Sequence, residues 1–526
     1  MDAEDAWLRS AAHASPPLHL LLEQYADGTV ADVLWRLPAA GPALQDAGDL
    51  AEVVERLAAR SHPRRVASAA ARELLRTRVA PTSNHYGVDT LADSVHGTLL
   101  SWLRHPPGER PGVVVVLGFG SISLNNLTFP RGLRLYDGGS RVQAPFPRRL
   151  PVLPTRLNRR MVGRAEGFDA EMVERARCRL DRMERDGELS GFASEAARSV
   201  LDRHFDRADV LAMRSYGHQA ARINADLWAR LFRPEVRAPV LVQLQVEEVA
   251  TGLLVRDLES GTSLVSALLF SPGVRGRVLR ALDGRRGCWS TEELRRRLRS
   301  GDRSEPRGGT HFFWGVDREG RRYPLLVEEV SGEASLVGLD GFGELHRFGL
   351  APSVLLAALE AGSILPSMLT CFAALSFARG VVCLGGYYQA EYLPLMRDAV
   401  AGALAATPTG AGASRAVRAV PCDVLLAGMQ CVGRAASPGV LLAMGPVEIA
   451  ATGGWSEEDL GRMLGSGVRR AVGIALTELV PELVPGIPKD GTWLRSVGSE
   501  AFRADVGGAG APRRAAAGGG GPCVYS

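Results

Sequence analysis

The chain has 526 residues, and at about 150 residues per domain this length predicts two to four folding units. Hydrophobic residues make up 46% and charged residues 23%, as in a soluble globular protein, and the net charge of +4 is too small to indicate a DNA-binding surface. The first residues, MDAED, are acidic where a secretory signal would be basic, and the longest apolar stretch, 364–378, is too short to span a membrane. We therefore expect a cytoplasmic protein with neither membrane nor DNA as a partner.

The lysine and cysteine content excludes several classes of enzyme. Of 62 basic residues only Lys489 is a lysine, and the loop around it lacks the frame of a phosphate-binding loop, G-x-x-x-x-G-K-[ST]. Pyridoxal phosphate and lysine nucleophiles would both depend on that single residue. The seven cysteines show no C-x-x-C spacing, and Cys371 and Cys383 are interpreted as core residues. We expect no metal and no cofactor.

Periodicity and composition divide the chain into four parts. Residues 1–106 are predicted to form a helical N-terminal region, because apolar residues recur there at helical spacing. Residues 107–345 alternate strand and helix patterns and are predicted to form a mixed α/β central body. Residues 346–503 are predicted to form a helix-rich C-terminal part, and the Gly/Ala-rich tail 504–526 is expected to be disordered.

A polar interruption of the N-terminal region contains the sequence His85-Tyr-Gly-Val-Asp89. In such an H-x-x-x-D box the histidine removes a proton from an attacking nucleophile and the aspartate fixes the local geometry. Condensation-type acyltransferases carry the fuller pattern H-H-x-x-x-D-G, but here Asn84 and Thr90 replace the first histidine and the glycine. His85 and Asp89 are predicted catalytic residues, and a chance match is the alternative.

The segment PGVVVVLGFGSISLNNLTFPRG has the pattern of a buried strand that enters a glycine-rich loop. A dinucleotide site needs G-x-G-x-x-G and then a helix, whereas Gly118 and Gly120 are followed by a serine at the third position and by no helix signal. The segment therefore predicts a strand and a tight turn. Within the turn, Ser121, Asn125 and Asn126 are predicted to contact a substrate.

A strand with one polar face is predicted over 240–248, because apolar and polar residues alternate there. Gln243 and Gln245 on that face are predicted to bind substrate. Glu247 on the same face is predicted to act in acid–base chemistry or to bind an amine, and a solvated strand edge is the alternative.

Two further histidines are candidate general bases. His218 lies in a helical segment, 168–232, with an arginine one turn away. His311 follows two glycines at the start of a predicted hairpin that joins 310–317 to 323–329. For both residues a purely structural role is the alternative.

The C-terminal part contains a candidate ligand-binding loop, GGYYQAE. It follows a long helix predicted over 351–378, which Pro366 kinks or divides. Tyr387, Tyr388 and Gln389 are predicted to bind substrate, because glycines permit close approach and the tyrosines offer aromatic walls with hydrogen-bonding groups. A helix connection held by two packed tyrosines is the alternative.

Three strings, NHYGVDTLADSVHGTLL, GTHFFWGVDREGRRYPL and CLGGYYQAEYLPLMRDAV, resemble the valanimycin-type transferases and their uncharacterised actinobacterial relatives over roughly residues 84–400. Those enzymes move a seryl group from seryl-tRNA to a hydroxylamine during azoxy-antibiotic biosynthesis. The resemblance implies a cytoplasmic enzyme of bacterial secondary metabolism with an aminoacyl-tRNA as partner and donor. It assigns no role to any single residue.

These observations predict an α+β, mixed multi-domain protein. The predicted function is acyl or aminoacyl transfer to a small hydroxylamine-type acceptor, which requires a base and oxyanion donors but neither a lysine nor a metal. Two alternatives remain open: a non-catalytic binding or scaffold protein of a biosynthetic cluster, and a cofactor-free cyclase or isomerase.

Overall fold

The computed structural model describes residues 6–38, 40–136, 147–437, 440–483 and 523–525. It confirms the predicted α+β class, since helices predominate and the strands form small separate sheets. Lys489 and most of the tail predicted to be disordered lie outside the described residues, whereas Cys523–Tyr525 forms a strand. No helix in the described ranges has both the length and the apolar character needed to cross a bilayer.

Helices make up most of the N-terminal part of the chain. Its elements are α1 (Ala6–Ala14), α2 (Pro16–Tyr25), α3 (Val30–Leu34), α4 (Gly48–Ala58), α5 (Arg64–Thr77), β1 (Val79–Pro81) and α6 (Ala92–Leu103). Helices α4 and α5 pack as a pair because three buried alanines of α5 allow close approach to the Leu/Val face of α4. Every residue of α6 except Asp93 is buried, so this helix lies inside the protein rather than on its surface.

The central body begins with strands and helices that surround one parallel strand pair. In chain order they are β2 (Val113–Gly118), β3 (Gly132–Leu135), β4 (Arg148–Pro151), α7 (Ala170–Arg185), α8 (Gly191–Val200), α9 (Ala208–Leu211), α10 (Tyr216–Ala229) and β5 (Val240–Gln245). Strands β2 and β5 pair in parallel, from Val113 with Val240 to Gly118 with Gln245. All of β5 except Val240 is buried, so its predicted polar face does not meet solvent. Near-complete burial is typical of parallel strands with both faces covered.

The second half of the central body contains four helices and two antiparallel sheets. The elements are α11 (Val246–Ser260), α12 (Leu264–Phe270), α13 (Pro272–Leu282), α14 (Thr291–Ser300), β6 (Phe313–Val316), β7 (Arg322–Pro324), β8 (Leu326–Val330), β9 (Glu333–Leu339) and β10 (Leu345–Gly349). Strands β6 and β7 pair antiparallel, which confirms the predicted hairpin. Strand β9 pairs with both β8 and β10 in the other sheet.

The C-terminal part is rich in helix but differs from the prediction at its start. Its elements are α15 (Pro352–Glu360), β11 (Ile364–Pro366), α16 (Met368–Phe372), a π-helical turn (Ala373–Phe377), β12 (Val382–Leu384), α17 (Tyr387–Ala405), α18 (Ala411–Arg418), β13 (Val432–Ser437), β14 (Val440–Ala443), α19 (Pro446–Ala451), α20 (Glu457–Leu464), α21 (Val468–Leu483) and β15 (Cys523–Tyr525). The helix predicted over 351–378, which Pro366 was expected to kink or divide, is interrupted earlier, because α15 ends at Glu360 and a strand reaches Pro366. Gly362, with φ of 65°, follows the end of α15, and the segment up to Pro366 pairs as β11 with β6.

The parallel strand pairs determine where the loops of interest meet. Strand β1 pairs in parallel with β12, and an isolated bridge between His85 and Phe119 joins the chain after β1 to the chain after β2. The loops that follow β1, β2 and β12 therefore leave at the same end of the strands. Ligands of open α/β arrangements bind at this carboxyl end. One continuous cluster of buried hydrophobic residues, from Leu8 to Leu476, packs around these strands.

Candidate functional site

A cavity of about 450 Å³ lies at the carboxyl ends of β1, β2 and β12. This volume suits a small organic ligand. Its walls are largely aromatic and apolar, and exposed Gly287, Arg307 and Gly308 are also lining residues, so the cavity opens to solvent beside them. The aromatic wall consists of Phe119, Trp289, Trp314, Tyr387, Tyr388 and Tyr392.

His85 lines this cavity, and the contacts of Thr128 favour one of the two neutral tautomers of its ring. The backbone N–H of Thr128 donates to Asn126 Oδ1 at 3.1 Å, so that atom is an oxygen and also accepts from the Thr128 hydroxyl at 3.0 Å. Because the hydroxyl proton is used there, Thr128 Oγ1 accepts from His85 Nδ1–H at 2.6 Å. The Nε2 atom keeps its lone pair, and no hydrogen bond from another described residue reaches it.

The environment of His85 favours the neutral imidazole. Burial and, to a smaller extent, the nearby Arg322 guanidinium together lower the pKa of His85 to about 4. At neutral pH the ring is therefore an acceptor at Nε2. A neutral, oriented imidazole at the wall of an apolar cavity has the properties of a general base.

Asp89 does not contact the imidazole of His85 but shapes the loop that carries it. Its carboxylate accepts hydrogen bonds from Asn84 Nδ2 at 2.9 Å, from the Leu91 N–H at 3.3 Å and from the Ser94 hydroxyl. Burial raises the pKa of Asp89, while the bonds from Ser94 and Asn84 oppose that rise. The aspartate of the H-x-x-x-D box thus positions the backbone after His85.

Gln243 stabilises the same loop through hydrogen bonds and does not line the cavity. Its Nε2 donates to the His85 carbonyl at 3.2 Å, and its Oε1 accepts from Asn224 Nδ2 at 2.6 Å. Asn224 in turn donates to the Gly87 carbonyl at 2.7 Å and accepts from the Asp89 N–H at 2.9 Å. Asn224 was not a predicted site residue, because no local pattern connects α10 with the loop at 85–89.

Glu247 lies in the first turn of α11 and not on β5, which ends two residues earlier, so the predicted strand position is wrong. Its carboxylate accepts the backbone N–H groups of Gly120 and Ser121, both at 2.9 Å. Burial raises the pKa of Glu247, and these two bonds oppose the rise. The amides of the glycine turn, which resemble a phosphate-binding loop in sequence, thus bind a carboxylate of the protein itself.

We expect Glu247→Gln to lower the free energy of unfolding by about 1–3 kcal/mol, because the amide can accept only one of the two N–H groups and leaves the other buried without an acceptor. Urea unfolding measures this. The matched control is Glu248→Gln, which changes an exposed neighbour paired with Arg60 on the surface and should change the stability by less than about 0.5 kcal/mol. Equal stability of the two variants would contradict the role assigned to Glu247.

The remaining residues predicted to bind substrate near the glycine turn do not share one site. Ser121 lines the cavity. Asn125 is exposed and donates to Glu305 Oε2 at 2.8 Å, so it lies outside the cavity. Asn126 acts through Thr128, as described above. Gln245 packs between two glycines, where a Cβ at position 120 would lie 2.6 Å from its side chain, so it fills space beneath the turn.

The other two candidate histidines are not brought to the cavity wall. His218 is exposed on α10. His311 is 2% exposed, its Nδ1 accepts from the Val327 N–H at 3.1 Å, and its ring packs edge-on against Trp289 with centroids 4.9 Å apart. Burial lowers the pKa of His311 to about 4. These contacts indicate a structural role for His311, which packs against the lining residue Trp289 and does not itself line the cavity.

Tyr387, Tyr388 and Gln389 line the cavity at the start of α17. The Tyr387 hydroxyl donates to the Gly428 carbonyl at 2.8 Å, and the Arg286 guanidinium lies 4.5 Å from the centroid of the Tyr388 ring. Gln389 Nε2 donates to Thr82 Oγ1 at 2.7 Å, whereas its Oε1 is buried with no hydrogen-bond partner among the described residues. This loop therefore contributes aromatic surface to the cavity, and Gln389 links the start of α17 to Thr82.

Arg322 is a cavity residue that the sequence did not indicate. Its guanidinium carbon lies 4.4 Å from the centroid of the Trp314 ring, and no carboxylate of the described residues forms an ion pair with it. Burial lowers the pKa of Arg322, although arginine remains charged at neutral pH. Of the acidic residues described, only Asp93 lines the same cavity.

A group of three potential metal ligands lies elsewhere, at the turn between β9 and β10. Ligand atoms of Asp340, Glu344 and His346 lie within 4.8 Å of one another. Asp340 already accepts the N–H groups of Phe342 and Glu344, at 2.8 and 2.9 Å, and contacts His346 Nε2 at 3.1 Å. These bonds account for the cluster as part of the turn.

Comparison with protein-family models, curated proteins and solved structures finds no match to this chain. The functional argument therefore depends on the geometry of the cavity.

Proposed function

We propose that this protein is an acyltransferase that binds a small hydroxylamine-type acceptor in the cavity and acylates it from an aminoacyl-tRNA, in the cytoplasm. A seryl group is the donor that the sequence resemblance implies. The observation that carries the proposal is the neutral His85, whose Nε2 has an available lone pair at the wall of an aromatic cavity.

The reaction needs only groups that the site provides. His85 Nε2 takes the proton from the acceptor hydroxyl, and the acceptor oxygen forms a bond to the carbonyl carbon of the aminoacyl ester. The negative charge that develops on the carbonyl oxygen is stabilised by the positive end of the 19-residue helix α17, whose first residues line the cavity. When the intermediate collapses, the bond to the ribose oxygen breaks and the leaving oxygen recovers the proton from His85.

The size of the cavity is consistent with binding the reacting groups inside and the tRNA outside. About 450 Å³ accommodates a small acceptor and an aminoacyl group, whereas the nucleic acid must remain outside. The exposed lining residues mark the side from which the ester would enter, and among them Arg307 offers a cation to a phosphate.

The test is deacylation of a charged tRNA pool, with each amino acid labelled in turn and with hydroxylamine as a generic acceptor. We expect the protein to accelerate loss of label from one aminoacyl-tRNA above the buffer control, with formation of the corresponding O-aminoacyl hydroxylamine. Absence of transfer from every donor would contradict the proposal. Tight binding of an aromatic metabolite without turnover would then favour the binding-protein alternative, and conversion of such a metabolite would favour the cyclase or isomerase.

A further inference from the structure

The position of Arg322 follows from the hairpin that carries it. Trp314 on β6 pairs with Pro324 on β7, so Arg322, two residues before Pro324, projects from the same face of the hairpin. This register places the guanidinium over the indole, at 4.4 Å from the ring centroid. The ring holds the guanidinium plane by a cation–π contact and leaves its N–H groups available towards the cavity.

The charge of Arg322 has no direct partner in the described residues. Glu305 and Glu247 are the carboxylates close enough to influence it. Glu305 accepts from Asn125, and Glu247 accepts two backbone amides of the glycine turn. The neighbouring Arg321, by contrast, forms an ion pair with Glu319. A desolvated cation without an ion pair is unfavourable, and an anion from a ligand would offset that cost.

A second positive element lines the same cavity. Helix α17 begins at Tyr387 with no side-chain hydrogen bond to cap it and no acidic residue in its first turn. Gly386 and the first three residues of the helix are cavity residues, so the positive end of the helix dipole adds to the field of Arg322. Aromatic rings supply most of the remaining wall. The site therefore favours a ligand with one anionic end and one apolar body.

We propose that Arg322 binds a carboxylate of the acceptor, which is therefore a small apolar acid carrying the nucleophilic hydroxylamine, of the N-hydroxy amino acid class. The assignment of the hydroxylamine rests on the proposed function, whereas the carboxylate site stands on the geometry of Arg322. Guanidinium and carboxylate form two parallel hydrogen bonds, which would fix the acceptor relative to His85 on the same cavity.

Occupancy of this site would also change His85. The positive charge of Arg322 lowers the pKa of His85, in addition to the effect of burial. A carboxylate bound to Arg322 neutralises this positive charge, so His85 becomes a stronger base when the acceptor is bound. The acceptor would in this way activate the base that deprotonates it.

The test compares two probes of the same shape, 3-phenylpropanoate and 3-phenylpropanamide, by calorimetry on the full chain. We expect the acid to bind at least about tenfold more tightly than the amide, as for a hydrogen-bonded ion pair. Arg322→Gln should abolish this preference, and Arg322→Lys should retain part of it, because lysine keeps the charge without the planar fork. The matched control is Arg318→Gln. It removes an arginine that lies in the turn of the same hairpin and stacks on Phe342, and it should leave the preference unchanged.

A second readout follows the imidazole itself. Titration of the His85 ring by NMR should show its midpoint rising when the acid is bound and staying in place with the amide. Equal affinity for acid and amide in the unchanged protein, or a preference that survives in Arg322→Gln, would overturn the carboxylate site. Acid-selective binding without any aminoacyl transfer would keep the site and remove the proposed function, and transfer without acid selectivity would do the reverse.

Discussion

Replacement of His85 by glutamine should reduce kcat for aminoacyl transfer by about 10²- to 10⁴-fold, which is the usual contribution of an oriented general base. Glutamine can still donate to Thr128 in place of Nδ1–H, but it has no lone pair of comparable basicity to accept the proton of the acceptor. Single-turnover transfer from the donor identified above measures the effect. His218→Gln is the matched control, because that histidine is exposed on α10, and its kcat should remain unchanged.

The pH profile distinguishes catalysis by His85 from a structural effect. Since the pKa of His85 in the free protein is about 4, kcat/KM should stay nearly constant from pH 8 to about pH 5.5 and then fall with a midpoint near 4. The folded-state pKa lies below the ordinary value of 6.5, so the unfolded chain binds this proton first and stability declines as the pH falls from 6.5 towards 4. Circular dichroism at each pH separates the two effects. A midpoint near 6.5, or full activity in His85→Gln, would contradict the assignment.

Local patterns in the sequence located two walls of the cavity. The H-x-x-x-D spacing identified the loop of His85, and a glycine pair before aromatic residues identified the start of α17. Each signal is a pattern of a few neighbouring residues, and the two loops follow the two strands of one parallel pair. Loops at the carboxyl ends of neighbouring parallel strands converge, so the two walls meet.

The rest of the site depends on contacts between distant parts of the chain. Glu247 binds amides of a turn more than 120 residues earlier, and alternation of residues could not show that β5 ends at Gln245 and a helix begins. Arg322 is one of 61 arginines by its sequence alone, since 62 residues are basic and one is a lysine. Its place on the cavity wall without an ion pair to any described residue is visible only in the tertiary structure. The helix pattern before Pro366 missed β11 for a related reason, because pairing with β6 outweighed local helical preference.

The largest stability effect is expected at Arg379, which is 0% exposed and links the N-terminal helices to the core. Its guanidinium donates to Asp49 Oδ1 at 2.8 Å, to Asp257 at 3.0 and 3.2 Å, and to the Ala374 carbonyl at 2.9 Å in the π-helical turn. Asp257 also accepts from Gln45 at 2.6 Å. One cation thus neutralises two carboxylates that come from α4 and α11.

Arg379→Met should lower the free energy of unfolding by about 3–5 kcal/mol, because it removes the cation between the buried Asp257 and the half-buried Asp49, although the apolar volume is largely retained. Urea unfolding followed by tryptophan fluorescence measures the change. Arg415→Met, at an exposed position of α18, is the control and should stay within about 0.5 kcal/mol of the unchanged protein. Addition of Asp49→Asn and Asp257→Asn to Arg379→Met should recover part of the loss, since the uncompensated charges are then removed. A loss no larger than that of Arg415→Met would show that the network does not stabilise the fold.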